Sequence, residues 1–72
     1  MMDKPQAILD KERAYKDARV TLQRPHPHHG KSGTVASVEY VEAIGRWGFV
    51  INLDDGDSCF VFEAKHWQIH DA

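Results

Sequence analysis

The sequence predicts a mainly β fold, in which an N-terminal α-helix precedes five short strands that close into a small barrel. Three features carry this prediction. From Arg19 the chain alternates polar and apolar residues, the period of a half-buried strand. Every aromatic residue except Tyr15 lies between Tyr40 and Trp67, so the core is built from the C-terminal two thirds. The run Asp54-Asp55-Gly56-Asp57 between two apolar stretches is a tight hairpin signal, because Asp-Gly tolerates positive φ.

Residues 3–18 read as a helix. Asp3 with Gln6 resembles a capping box, Pro5 fits a first turn, and Glu12–Lys16 and Arg13–Asp17 are spaced as ion pairs on one helix surface. The apolar stripe is thin (Ile8, Leu9, Tyr15), which suits an arm laid on the domain or on a partner. Arg19 to Gln23 is the first strand, and the Pro- and His-rich residues 24–32 form a loop, since proline cannot donate to a ladder. Gly33 to Glu42 is the second strand. Its apolar parity switches between Val35 and Val38, which calls for a bulge near Ala36-Ser37. Residues 43–48 read as a loop. Phe49–Leu53 and Ser58–Phe62 flank the acidic hairpin, Glu63–His66 has the length of one helical turn, and Trp67–His70 closes the order. Residues 1–18 thus form the helical arm and residues 19–72 the barrel.

With 72 residues the chain is one small domain with a thin core. The lone Cys59 closes no internal disulfide and suits a reducing, cytoplasmic compartment. No apolar run spans a bilayer and no apolar h-region opens the chain, so neither a membrane partner nor a signal peptide is expected. The net charge of −2 hides a dipolar pattern: residues 18–38 carry Arg19, Arg24 and Lys31 with no acid, while residues 39–72 carry a charge of −5. Only the middle segment offers a phosphate backbone a favourable field.

The string Gly30-Lys31-Ser32-Gly33-Thr34-Val35-Ala36-Ser37-Val38 resembles the KOW motif, a glycine-bearing loop followed by Gly-x-Val-x-x-Val. With Leu53-Asp54-Asp55-Gly56 as the tight hairpin and Trp67-x-Ile69 as the closing strand, residues 19–70 resemble an SH3-like small barrel. In ribosomal proteins and transcription elongation factors that carry the motif, the loop touches RNA or protein. The resemblance therefore implies a nucleic-acid or ribonucleoprotein partner. The His/Pro content and low basicity of this loop depart from that pattern. The small oligomeric type II dihydrofolate reductases share the barrel, but the segment nearest to their Val-Gln-Ile-Tyr is Phe60-Val61-Phe62-Glu63, so no catalytic role carries over.

The residues point to binding, not catalysis. His26, His28 and His29 sit in a proline-stiffened loop. Imidazoles are metal ligands, and His66 or His70 is a further candidate, but adjacent histidines diverge on extended backbone and no acid or cysteine joins them in the loop, so no metal is expected. Gly30-Lys31-Ser32-Gly33 has the composition of an anion-binding nest, and equally of a plain turn. Gly45-Arg46-Trp47-Gly48 presents an Arg and a Trp, the common anchors of interfaces, or else a Trp folded over the barrel end. The acidic hairpin lacks a calcium-loop spacing, and Cys59 reads as a structural thiol. The expectation is a noncatalytic binding or adaptor module without cofactor. Its contact surface is Arg24, His26, His28, His29, Lys31, Arg46 and Trp47. Its partner is nucleic acid or protein, and self-association is the other way to cover the thin core.

Overall fold

The computed structural model describes residues 3–62 and 64–70. Helix α1 (Gln6–Tyr15) precedes five strands: β1 (Arg19–Leu22), β2 (Ser32–Val41), β3 (Arg46–Leu53), β4 (Ser58–Val61) and β5 (Trp67–His70), the last following a single 3-10 turn (Ala64–His66). All pair antiparallel in one sheet of order β4-β3-β2-β1-β5. The predicted mainly β fold with an N-terminal helix and five strands is present. The sheet is not closed into a barrel: β4 pairs with β3 and β5 with β1, and among the described residues no ladder joins β4 to β5. Residues of the β1–β2 loop bond to both sides of that opening instead. Gln23 N–H donates to the His66 carbonyl at 2.7 Å, and the His26 ring lies 2.8 Å from the Phe60 carbonyl.

The parity switch in β2 is a bulge. Val35 faces Ile51 and Ser37 faces Val50, so Ala36 is left unpaired and Val38 returns to the buried face. The inward residues Val20, Leu22, Val35, Ile51, Leu53, Val61 and Trp67 form the core. Gly33 sits where β2 meets both β1 and β3, opposite Val20 and Leu53. A Cβ there would stand 2.5 Å from the Asn52 carbonyl oxygen and 2.9 Å from Ile51 Cγ2. No side chain fits at that crossing.

The β3 strand starts earlier than the sequence suggests. Arg46, Trp47 and Gly48 pair with Val41, Tyr40 and Glu39, so the predicted loop 43–48 shrinks to a turn closed by Gly45 N–H on the Val41 carbonyl. A cross-strand edge-to-face contact of Tyr40 with Trp47, centroids 5.4 Å apart, favours the longer hairpin. Gly48 is tolerated inside the strand because an aromatic ring covers it: its Cβ would lie 2.6 Å from Phe62.

Helix α1 buries no residue fully, and its attachment is polar at one end and aromatic at the other. It begins at Gln6, after Pro5, without a side-chain cap, so the Asp3–Gln6 capping box does not form; Gln6 Nε2 donates to Asp10 instead. Glu12 does not bond Lys16. Its carboxylate accepts from Lys4 Nζ at 2.6 Å and from the Val38 backbone N–H at 2.9 Å. Just past the helix Asp17, at φ 67°, turns the chain so that its N–H reaches the Val35 carbonyl, and Val35 N–H reaches Ala18. The helix and the turn after it thus cover the part of β2 that β1 is too short to pair. Tyr15 then meets Phe49 and Trp67 with centroids 5.4 and 5.8 Å away, and Phe49 meets Trp67 at 4.6 Å. The lid over this end is Trp67 with Tyr15, not Trp47.

Two expected outcomes follow from these contacts. Gly33→Ala destabilises the domain by about 1–3 kcal/mol, because backbone must shift to admit the methyl group. A lowered urea midpoint at unchanged m-value registers this. Glu12→Ala costs about 1.5–3 kcal/mol, the range for hydrogen bonds to a charged group. Lys4, and next the Val38 N–H, hold the Glu12 carboxyl below its ordinary range. A lowered folded-state pKa gives stability that is full above the ordinary Glu value of about 4.3 and is lost as pH falls through the folded value. Urea melts from pH 7 down to about pH 3 therefore lose a component in the parent chain that Glu12→Ala lacks.

Candidate functional site

The β1–β2 loop is an ordered set of turns. His26 N–H donates to the Gln23 carbonyl, His29 N–H to the His26 carbonyl, Lys31 N–H to the His28 carbonyl and Gly30 N–H to the Leu22 carbonyl. At its centre His26 is 7% exposed, the one buried polar side chain among the described residues. Both ring nitrogens are engaged. Nδ1 lies 3.0 Å from the His28 backbone N–H, which can only donate, so Nδ1 is the acceptor. Nε2 lies 2.8 Å from the Phe60 carbonyl, which can only accept, so Nε2 carries the proton. His26 is thus a neutral Nε2–H imidazole that holds the loop to β4.

This attachment shapes a groove of about 370 Å³. Pro25, His26, Pro27 and His28 line it from the loop, Cys59, Phe60 and Phe62 from β4 and the residue after it, and His66 from the 3-10 turn. The rings of Phe60 and Phe62 stack with centroids 5.8 Å apart, and Phe60 is 40% exposed. The Arg46 guanidinium lies 5.7 Å from the centre of the Phe62 ring, a cation–π contact. The His28 and His66 rings stand 5.8 and 6.1 Å from that of His26. Burial pushes the Cys59 thiol up, away from the thiolate that a nucleophile needs.

The predicted contact residues divide. His26 and His28 line the groove, and Arg46 reaches it through Phe62. Arg24 precedes the groove-lining Pro25 and is exposed. His29 is exposed, with Nδ1 3.1 Å from the His26 carbonyl. Trp47 sits on β3 against Tyr40 and does not line the groove. Lys31 bonds Asp55 at 2.7 Å, and the Gly30 and Lys31 N–H groups go to carbonyls of the chain, so no open anion nest forms there. Sequence reasoning missed Phe60, Phe62 and His66 as groove residues. The signal that marks the first two is an alternate-residue Phe pair on one face of a strand opposite a glycine.

Charge also redistributes on folding. The acidic hairpin lies back on the basic segment: Arg19 makes a two-pronged pair with Asp54 at 2.7 Å, alongside the Lys31–Asp55 pair. These hydrogen bonds hold both carboxyls below their ordinary range. Among the described residues no three His, Cys, Asp or Glu side chains are grouped to hold a metal ion, and no helix is long and apolar enough to cross a membrane. Comparison with protein-family models, with curated proteins and with solved structures finds no match.

The hydrogen-bond pattern fixes the His26 tautomer, and two-bond ¹⁵N–¹H correlation spectra should show a protonated Nε2 and a bare Nδ1 near neutral pH. His26→Ala should lose the groove-side shifts of Phe60 and His66 together and cost about 1–3 kcal/mol, since it orphans the His28 N–H and the Phe60 carbonyl. A mixed tautomer signal would contradict the assignment.

Proposed function

We propose that the chain is a noncatalytic binding module of the SH3-like kind, which docks a short segment of a protein partner in the groove between the His/Pro loop and β4. The strand order β4-β3-β2-β1-β5, the strongly bulged second strand and the single 3-10 turn before β5 support the SH3-like reading. One observation carries the binding reading: a preformed apolar groove whose floor is the stacked Phe60–Phe62 pair, Phe60 exposed and Phe62 half-buried. A thin-cored domain leaves such aromatic area uncovered at a cost in stability, and apolar surface of this kind marks interaction sites. Aromatic rings with an adjacent Arg are the usual composition of an interface anchor.

A protein partner is favoured over nucleic acid by the charge pairing. Two of the three cations in residues 18–38 already face carboxylates, Arg19 with Asp54 and Lys31 with Asp55. The segment that looked basic in the sequence therefore has little field left for phosphates. The groove's lining is apolar and histidine-rich, without the row of lysines and arginines that tracks a nucleic-acid backbone.

Selection of displayed random peptides against the full chain tests this reading. Enriched peptides should shift the amide signals of Pro27's neighbours, Phe60 and His66. Phe60→Ala should weaken them at least about tenfold, and Trp47→Ala should leave them unchanged. Shifts confined to the Trp47–Tyr40 end would place binding elsewhere. A single-stranded oligonucleotide that binds the same groove, with affinity falling steeply with salt, would replace the protein partner by nucleic acid.

A further inference from the structure

The groove has an electrical sign as well as a shape. None of the described residues that line it, Pro25, His26, Pro27, His28, Cys59, Phe60, Phe62 and His66, carries a carboxylate. At one end stands Arg46, whose guanidinium lies over Phe62 and makes no ion pair with a carboxylate among the described residues. Arg24, exposed and next in sequence to the lining residue Pro25, likewise makes none among the described residues. Two of the three carboxylates of the neighbouring hairpin are taken, Asp54 by Arg19 and Asp55 by Lys31, each at 2.7 Å. The chain as a whole is acidic, at −2, yet among the described residues the groove lining itself carries imidazoles and no carboxylate, with Arg46 beside it.

From this charge complementarity we infer that the occupant is an acidic-apolar peptide segment: one or two large apolar side chains on the Phe60–Phe62 floor, flanked by Asp or Glu that meets Arg46. The inference rests on the groove being a peptide site and adds the class of peptide. A guanidinium already oriented by a ring face is positioned to take a carboxylate with two parallel hydrogen bonds. Its contact with Phe62 couples the two halves of recognition, because the ring that receives the apolar side chain also holds the cation. A lysine-flanked segment would meet Arg46 and Arg24 as like charges and would be rejected.

Three fluorescent peptides with one apolar centre, Leu-Pro-Phe, and flanks of Glu, Ser or Lys provide the test, read by anisotropy on the full chain. At about 50 mM salt, where screening is weak, the Glu-flanked peptide should bind at least about tenfold tighter than the Lys-flanked one, with Ser between. Raising salt should shrink the difference. Arg46→Glu should invert the order and Arg46→Gln flatten it, while amide spectra confirm that both variants keep the fold. Equal binding of all three peptides, or preference for the Lys flanks, overturns the acidic class and leaves the peptide groove standing. Failure of all three to bind or to shift Phe60 and His66 overturns both. Displacement of the Glu-flanked peptide by a single-stranded oligonucleotide at lower concentration than by unlabelled peptide overturns the inference in favour of a phosphate ligand.

Discussion

The whole arrangement depends on how an open antiparallel sheet disposes of its unpaired backbone. A buried N–H or C=O without a partner costs more than an ordinary hydrogen bond contributes, so each edge stretch under cover must find a donor or acceptor. In this chain β2 is ten residues long, while the β1 register covers only Ser32 to Thr34 of it. The remainder is served by Ala18 and Asp17 through backbone bonds to Val35, and by Glu12 through its side chain to Val38. At the opposite side, β4 has no second strand neighbour among the described residues, and His26 takes the Phe60 carbonyl. Two side chains thus do what a closing ladder would do. Each brings along the element that carries it: Glu12 seats the helix, and His26 seats the loop.

The helix has little else to hold it, since it buries no residue fully and its N-terminus has no side-chain cap. Once Glu12 fixes its position, Tyr15 falls onto Phe49 and Trp67 and closes that end of the core. The same logic runs through the loop. Prolines limit its backbone freedom, His26 sets its distance from β4, and the space left beneath it becomes the groove. A domain of this size has few kilocalories to spare, so contacts that each contribute about 1–3 kcal/mol decide whether the arm and the groove exist.

Much of this was legible in the sequence, for reasons that separate cleanly from what was not. Period-two alternation and the Asp-Gly turn marked the strands because both are local properties of backbone and side-chain direction. The parity switch from Val35 to Val38 marked the bulge for the same reason. Apart from the capping box, which Gln6 forgoes for Asp10, the failures involve partners distant in sequence. Gly48 read as loop, because its fitness for a strand depends on the Phe62 ring that covers it. Glu12 had a nearby lysine at helical spacing, yet its carboxylate turned to Lys4 and to a backbone group 26 positions away. Lys31 looked available to a ligand, but Asp55 claims it from 24 positions away. His26 looked like one of three equivalent loop histidines, and only the fold singles it out for burial.

The departures from ordinary β-domain practice share a location. The buried imidazole, the exposed phenylalanine, the glycine inside a strand and the open sheet edge all border one groove. Each alone breaks a rule that stabilises small β domains: polar groups outside, aromatics inside, side chains on strands, edges paired or guarded. An exposed Phe60 beside an outer strand edge would ordinarily invite aggregation. Here the His26 bond and the Pro25–Pro27 wall occupy the approach to that edge, while the rings of Phe60 and Phe62 stay accessible above it. Rule-breaking scattered over a surface would read as poor design of a marginal domain. Gathered on one side, and compensated by a histidine with both ring nitrogens bonded, it supports the binding role proposed for the groove.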